Sequence, residues 1–148
     1  MIDIRPVKTE DWTAMADVAE EAHSHMDLLP GEFNRSAWIY NWRTFSKSDG
    51  AMVMNLEIDQ VVRGGIFGSI TVDPANDDLI AVMMMWHIAR DFRGHGIKLL
   101  KRWIKLAREK GAVRLTMNHL LDLDSLRLEQ LYLRMGMTPL EKTYILEF

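Results

Sequence analysis

The stretch of the chain best suited to chemistry is a short polar loop with two glycines that follows a long apolar run. The apolar run is Leu79–Ile88 (LIAVMMMWHI), the loop is Arg90–Gly96 (RDFRGHG), and an amphipathic stretch follows over residues 97–110. This order predicts a buried strand, a tight turn and a helix that begins at the turn. Main-chain N–H groups at a helix start lack intrahelical partners, and glycines let a ligand approach closely. The unit therefore predicts a site for a phosphate or pyrophosphate.

The glycine spacing narrows the kind of anion site. A P-loop is excluded because no Gly-Lys-Ser/Thr ending is present, and the dinucleotide fingerprint is excluded because its third glycine is missing. The segment Arg93-Gly94-His95-Gly96-Ile97-Lys98 resembles the acetyl-CoA loop of the GNAT family of N-acetyltransferases, Arg/Gln-x-x-Gly-x-Gly/Ala. Lys98 stands where the family has Gly or Ala.

This resemblance implies that acetyl-CoA binds the loop and the strand before it as a co-substrate. The residues that it implies for cofactor binding are Trp86, His87, Ile88, Arg93, Gly94, His95, Gly96, Ile97, Lys98 and Ser125. Further basic residues surround the loop, and of these Lys101 and Arg102 could reach the adenosine 3′-phosphate. The alternative for such charges is a solvated helix face.

A second motif lies near the end of the chain. The run LYLRMGM over residues 131–137 resembles the late Leu-Tyr-x-x-x-Gly-Phe/Tyr element of the same family. The resemblance implies that Tyr132 protonates the departing CoA thiolate, which suits a phenol because it holds its proton at neutral pH. Ser125 stands seven residues earlier, where the family often has Asn. The structural alternative is a helix tyrosine with its hydroxyl in water.

The general base is harder to assign. Many relatives carry a Glu in the central strand, but the matching residues here, Val82-Met83-Met84-Met85, include no carboxylate. His87 at the strand end could relay a proton at neutral pH, or it could be a histidine bonded to the backbone. His119 and Asp122 after the next strand could face the same cleft.

The order of patterns along the chain predicts the fold. Strands are expected over residues 2–7, 51–58, 61–72, 79–88, 113–118 and 143–148, and helices over 10–25, 35–45, 97–110 and 125–135, with Thr9 and Asn34 or Ser36 as caps. A hairpin turn is expected at Asp59-Gln60, and glycines inside the following strand indicate a bulge or a close backbone approach. The order is similar to that of GNAT proteins, so we expect one α/β (α+β) domain over residues 1–148, with a mostly antiparallel sheet whose one parallel pair splays into a V, flanked by about four helices.

Composition and charge argue against several other classes of function. The 148-residue chain has a net charge of −3 and a pI near 5.9, which disfavours nucleic acid as a partner. It has no cysteine, and His23 and His25 do not share a helix face, so we expect no metal site. No run is long enough to span a membrane and no signal peptide is evident, so a cytoplasmic protein without membrane contact is expected.

We therefore expect an N-acetyltransferase in which a primary amine, on a small molecule or a protein, attacks the thioester directly in a ternary complex. The resemblance implies that a main-chain N–H near Ile88 polarises the carbonyl and that dimers occur. The region 20–34, with His23, His25, Asp27 and Glu32, would suit a cationic amine.

Small GNAT proteins of bacteriophages look similar, since they share the tryptophan before the loop (Trp86) and a terminal Glu-x-x-Tyr (Glu141 to Tyr144). Such an origin would place the protein in a host cytoplasm. The alternative function is a catalytically inactive GNAT-fold binding or structural protein, in a phage particle or against a host factor. Lys98 and the missing strand carboxylate favour that alternative.

Overall fold

The computed structural model describes residues 1–119, 121 and 125–148. Their strands and helices are β1 (Ile2–Pro6), α1 (Trp12–His23), α2 (Arg35–Ser46), β2 (Ala51–Ile58), β3 (Val61–Val72), β4 (Leu79–Ile88), α3 (Gly96–Glu109), β5 (Arg114–Thr116) and α4 (Ser125–Arg134). Two short 3₁₀ helices, Thr9–Asp11 and Arg90–His95, lead directly into α1 and α3.

The strands form a five-stranded sheet in the order β1-β2-β3-β4-β5. Every neighbouring pair is antiparallel except β4 and β5, which run parallel. The predicted fold class, a mixed and mostly antiparallel sheet with one parallel pair and four helices, is thus confirmed. The parallel pair joins only Ile80–Val82 to Arg114–Thr116. Within the described residues β4 then continues to Ile88 without a β5 partner, which opens a gap at that end of the sheet.

Each face of the sheet packs on its own helices. On one face the fully buried Trp103 of α3 lies among aliphatic residues of β2 and β3, and its indole Nε1 donates to the main-chain carbonyl of Met52 at 3.1 Å. On the other face Trp12 of α1 and Phe67 of β3 form an aromatic cluster with Trp38 and Trp42 of α2. The two apolar faces hold the sheet between α3 and the α1/α2 pair.

Two local predictions are confirmed by the backbone. The hairpin turn falls at Asp59 and Gln60, whose φ angles of 50° and 66° match the two left-handed positions of a tight hairpin turn. The side chain of Asn34 accepts a hydrogen bond from the amide of Ala37 at 2.9 Å and so caps α2.

The predicted cap at Thr9 is wrong. The carboxylate of Asp11 instead accepts the amide of Lys8 at 2.6 Å, and α1 begins only after the 3₁₀ turn. Asp11 also accepts Arg5 at 2.7 Å and Asn55 at 2.8 Å, which ties the start of α1 to β1 and β2. Burial alone would raise the pKa of Asp11, but the Arg5 guanidinium and the Lys8 amide hold it below its usual value.

The last predicted strand is also wrong. Residues 137–148 form no helix or strand, and the side chains of Tyr144, Ile145 and Leu146 are exposed. The edge strand β5 is also shorter than expected, because only residues 114–116 form a ladder where residues 113–118 were expected, so it offers few main-chain partners to a further strand.

The glycines of β3 mark a bulge between β3 and β4, as the sequence indicated. Phe67 lies opposite Met85 and Gly68 lies opposite Met83, so Met84 is an extra residue in β4. A Cβ at Gly68 would overlap the carbonyl oxygen of Val82 and lie 2.5 Å from the ring of Trp103. Only glycine allows this close approach.

Candidate active site

The bulge at Met84 decides which way the end of β4 faces. Met83 belongs to the core under α3, whereas Met85 packs in the aromatic cluster on the α1/α2 face. After Met85 the side chains again alternate between the two faces of the sheet. Trp86 and Ile88 therefore lie on the α3 side, and His87 lies on the α1 side.

The polar loop of residues 90–96, here called the glycine loop, packs directly on the α3 side of this strand. Gly96 is buried, and a Cβ there would lie 3.1 Å from Cγ1 of Ile88 and 3.2 Å from the ring of Trp86. Around Gly94, by contrast, there is open space, because a Cβ there would have no atom within 4 Å. The structure thus brings the strand end and the loop together as one unit, with its open side at Gly94.

The main-chain donors of the loop are only partly available. Residues Arg90–His95 form a 3₁₀ helix, and the N–H of Gly96 donates to the carbonyl of Arg93. The sequence predicted that main-chain amides between Arg93 and Lys98 bind the anion, but the Gly96 amide is engaged within the turn. The amides of Ile97 and Lys98, in the first turn of α3, remain as candidate donors to an anion.

One further donor lies at the end of β4. The N–H of Ala89 donates to the carbonyl of Arg63 on β3 at 2.7 Å. Successive N–H groups of a strand point to opposite sides, so the N–H of Ile88 points away from β3 and toward the gap left by β5. This is the position at which the family resemblance expects a carbonyl to be polarised.

Tyr132 is held near the gap by α4 and the segment after β5. Its side chain is only 9% exposed, and its hydroxyl donates to the main-chain carbonyl of Asn118 at 3.2 Å. Its ring lies 5.8 Å from that of His119. Burial raises the pKa of Tyr132 to about 12, so the phenol keeps its proton at neutral pH. Ser125 begins α4 two helical turns earlier and shares a face with Tyr132.

His87 is partly buried at the end of β4, beside His23 of α1. Burial lowers the pKa of its imidazole to about 4, with a further lowering by nearby His23 and an opposing contribution from a hydrogen bond to the Trp86 backbone. The ring is therefore neutral at pH 7. His23 itself stacks on Phe33, with 5.6 Å between the ring centroids. The end of α1, where we expected the acceptor amine, thus lies beside the end of β4.

The charged residues that sequence pointed to are mostly on the surface. Lys98, Lys101 and Arg102 are exposed along the first turns of α3, and His25, Asp27 and Glu32 are exposed after α1. In the described ranges no three histidine or acidic side chains are grouped as metal ligands would be. No described helix is both long and apolar enough to cross a membrane. Asp122, a candidate base, lies outside the described residues.

Three residues near the loop were not identified from sequence. The guanidinium of Arg63 lies over the ring of Phe92, 4.6 Å from its centroid, and the carboxylate of Glu21 accepts the N–H of Arg90 at 3.3 Å. The position of Arg63 before two glycines was the available signal, because glycines in a strand often accompany a bulge that redirects a neighbouring side chain.

Comparison with known proteins identifies the fold. No protein-family model and no curated protein sequence matches the chain. Among solved structures, it is similar to the ribosomal-protein-alanine N-acetyltransferase of Brucella melitensis biovar Abortus 2308, with 17% identity, 99% of each chain covered and a TM-score of 0.77. It is also similar to an aminoglycoside N-acetyltransferase in complex with CoA, with 13% identity, 100% of this chain and 95% of that chain covered and a TM-score of 0.78.

A third similar structure is a GNAT family acetyltransferase of Staphylococcus aureus, with 11% identity, 99% and 98% coverage and a TM-score of 0.75. These likenesses cover essentially the whole length of both chains at low identity. They establish that the chain has the GNAT fold, and the activity must be argued from its own residues.

Proposed function

We propose that this protein is an N-acetyltransferase that uses acetyl-CoA to acetylate a primary amine in a ternary complex. The observation that carries the proposal is the packing of Gly96 on Trp86 and Ile88 while Gly94 remains open. It joins a strand with an outward N–H to a glycine turn at a helix start, which suits an extended ligand with a diphosphate arm. Acetyl-CoA would supply an activated thioester at this site.

The chain's own residues then account for the transfer. The N–H of Ile88 donates to the acyl oxygen as negative charge develops there. Tyr132 keeps its phenolic proton through neutral pH and donates it to the departing sulfur, for which its hydroxyl turns from the Asn118 carbonyl. Amides at the start of α3 hold the diphosphate, with Arg93 and Lys98 as the nearest cations.

The role of His87 follows from its neutral state. A group with a pKa near 4 holds a proton poorly at pH 7, so His87 accepts a hydrogen bond from the amine or from a water molecule and orients it. The ammonium form of the amine gives one proton to solvent before the attack, and the second proton passes to solvent as the amide forms. Tyr132 regains its proton from solvent after the sulfur has left. This assignment leaves the protein without a strong general base, which agrees with the absence of a carboxylate from Val82–Met85.

The acceptor approaches from the end of α1. His23 there lies beside His87, and the exposed Asp27 and Glu32 follow in the segment after α1. Two of the similar structures carry names of enzymes that acetylate amines, one on a ribosomal protein and one on aminoglycosides. A cationic primary amine, on a small molecule or a protein, is therefore the substrate class we propose, and a cytoplasmic homodimer is the form that we expect to act.

The rival function is a GNAT-fold protein that binds a partner without catalysis, as a phage-encoded protein could do. Two experiments distinguish this rival from the proposed enzyme. Calorimetry measures the binding of acetyl-CoA and CoA, and an assay measures acetyl-CoA hydrolysis and acetyl transfer to a panel of primary amines. We expect binding in the micromolar range and slow thiol release without an acceptor. No binding at millimolar ligand would refute the proposal, and binding without any thiol release would favour the rival.

A further inference from the structure

The glycine loop is supported on one side by Trp86 and Ile88, but three contacts also reach it from β3 and α1. Two of them come from Arg63, through its carbonyl and its guanidinium. The third comes from Glu21. These residues lie outside the proposed cofactor site, so the mechanism above does not account for them.

Arg63 occupies a second bulge of the sheet. Leu56 lies opposite Gly64 and Glu57 lies opposite Val62, so Arg63 is an extra residue in β3. Bulges of this kind redirect a side chain and often lie beside functional sites. Here the guanidinium lies on Phe92, in the middle of the 3₁₀ turn, and its Nε is buried without a hydrogen-bond partner among the described residues.

The carbonyl of Arg63 fixes the start of the same loop. It accepts the N–H of Ala89, the residue that immediately precedes the 3₁₀ turn, at 2.7 Å. A single residue therefore holds the loop at two points, one through the main chain and one through a cation–π contact between its guanidinium and the Phe92 ring. Both contacts leave the open side at Gly94 untouched.

Glu21 holds the first residue of the turn from α1. Its carboxylate accepts the N–H of Arg90, which has no acceptor within the turn because it is the first residue. Glu21 lies two residues before His23, at the end of α1 that faces the proposed acceptor site. The loop is thus joined to the helix that would contact the acceptor.

We propose that Arg63 and Glu21 are positioning residues that fix the cofactor loop in its binding conformation. This inference rests on the proposed function, since it assigns the loop to CoA. Neither residue touches the ligand; each acts through Phe92, Ala89 or Arg90. When these contacts are lost, the loop is no longer held in place in the ligand-free protein. Binding of the diphosphate must then order the loop, and this lowers the affinity for CoA.

The variants are chosen to keep charge or shape while removing one contact. Arg63→Lys keeps the positive charge but replaces the planar guanidinium over Phe92 with a compact ammonium group, and Phe92→Leu removes the ring. Glu21→Ala removes the acceptor, whereas Glu21→Gln keeps a carbonyl oxygen that can accept the Arg90 N–H. Arg108→Lys is the matched control, because Arg108 is exposed at the far end of α3.

Two measurements are made on each full-length variant. Amide hydrogen exchange of residues 89–96 in the ligand-free protein reports how firmly the loop is held. The dissociation constant of CoA by calorimetry reports the consequence for the ligand. We expect Arg63→Lys, Phe92→Leu and Glu21→Ala each to speed exchange in the loop and to weaken CoA binding about fivefold. Glu21→Gln and Arg108→Lys should stay within about twofold of the unmodified protein in both measurements.

The outcomes are separable. Faster exchange together with weaker CoA binding supports the proposal, and non-additive effects in the double variant of Arg63 and Phe92 would support their direct contact. Unchanged loop exchange overturns it, as does faster exchange with unchanged CoA affinity. If the unmodified protein binds no CoA, the proposed function fails and the cofactor role falls with it, whereas the exchange data still decide whether the two residues hold the loop.

Discussion

The phenol of Tyr132 and the main-chain carbonyl of Asn118 are joined by a hydrogen bond of 3.2 Å that links α4 to the segment after β5. Because the carbonyl accepts, the phenol must carry its proton for the bond to exist. The same contact that orients the side chain therefore also keeps the proton in place. A group with these two properties beside an open strand end is suited to donate to a leaving thiolate.

Tyr132→Phe tests this role. We expect kcat for acetyl transfer to fall about 100-fold, because the proton donor is lost, while the dissociation constant of CoA changes by less than about twofold. The free energy of unfolding should fall by about 1 kcal/mol for the lost hydrogen bond. Steady-state kinetics, calorimetry and denaturant unfolding provide the three measurements. Tyr144→Phe is the control, since Tyr144 is exposed, and a parallel loss of kcat and affinity in Tyr132→Phe would indicate a packing role.

Alanine should lower the stability of the fold at Gly68 but leave it nearly unchanged at Gly94. At Gly68 the new methyl group would overlap the Val82 carbonyl, so we expect Gly68→Ala to lower the free energy of unfolding by about 2 kcal/mol or more. At Gly94 a methyl group meets open space, so Gly94→Ala should change stability by less than about 0.5 kcal/mol.

The same methyl group at Gly94 would stand where a diphosphate approaches, and CoA binding should weaken about tenfold. Denaturant unfolding and calorimetry on both variants check the pair. Unchanged CoA affinity in Gly94→Ala would show that the ligand does not pass over this residue.

His87 should make the protein sensitive to mild acid. Its pKa of about 4 in the folded chain lies below the ordinary histidine value of 6.5, so the unfolded chain binds the proton more readily and stability falls as pH drops from neutral toward 4. We expect a loss of about 1–2 kcal/mol between pH 7 and pH 5 that His87→Gln does not show. Denaturant unfolding of both proteins at the two pH values measures it. The other histidines are common to both, so equal losses would mean that His87 is not desolvated.

The ion pair of Asp11 with Arg5 should stabilise the junction of β1 and α1. Asp11→Asn keeps the shape but removes the charge that faces Arg5, and we expect a loss of about 2 kcal/mol in the free energy of unfolding. The pKa of Asp11 is lowered in the folded state, so this contribution is present at neutral pH and disappears as pH falls through the folded pKa. Chemical unfolding at neutral pH checks the loss. The control is Asp17→Asn, because Asp17 pairs with Arg35 on the surface, and a loss as large there would argue against a special role for burial.

Much of the fold was predictable because local patterns agree with the tertiary structure. The strand Leu79–Ile88 is a nearly uninterrupted apolar run, and the Asp59-Gln60 turn stands between two apolar strands that pair with each other. The last strand was mispredicted because residues 143–148 have strand-like composition, and composition cannot report that β5 offers only three paired residues. Pairing partners lie far apart in sequence, so a short partner leaves no local signal.

The candidate site was predictable only in part. Motif spacing pointed to the loop and to Tyr132. Arg63 was missed because its contact with Phe92 depends on the exact position of a bulge, which the two glycines after Arg63 indicate but do not locate. The internal bond of Gly96 to Arg93 was missed because a 3₁₀ turn and an open anion loop share the same glycines.

The bulge that takes up Met84 matters as much as the composition of β4. If Met84 alternated regularly with its neighbours instead, the side chains after it would exchange sides: the indole of Trp86 would turn toward α1 and the imidazole of His87 toward the underside of Gly96. The same residues in an unbulged strand would present a histidine to the loop and a tryptophan to the amine.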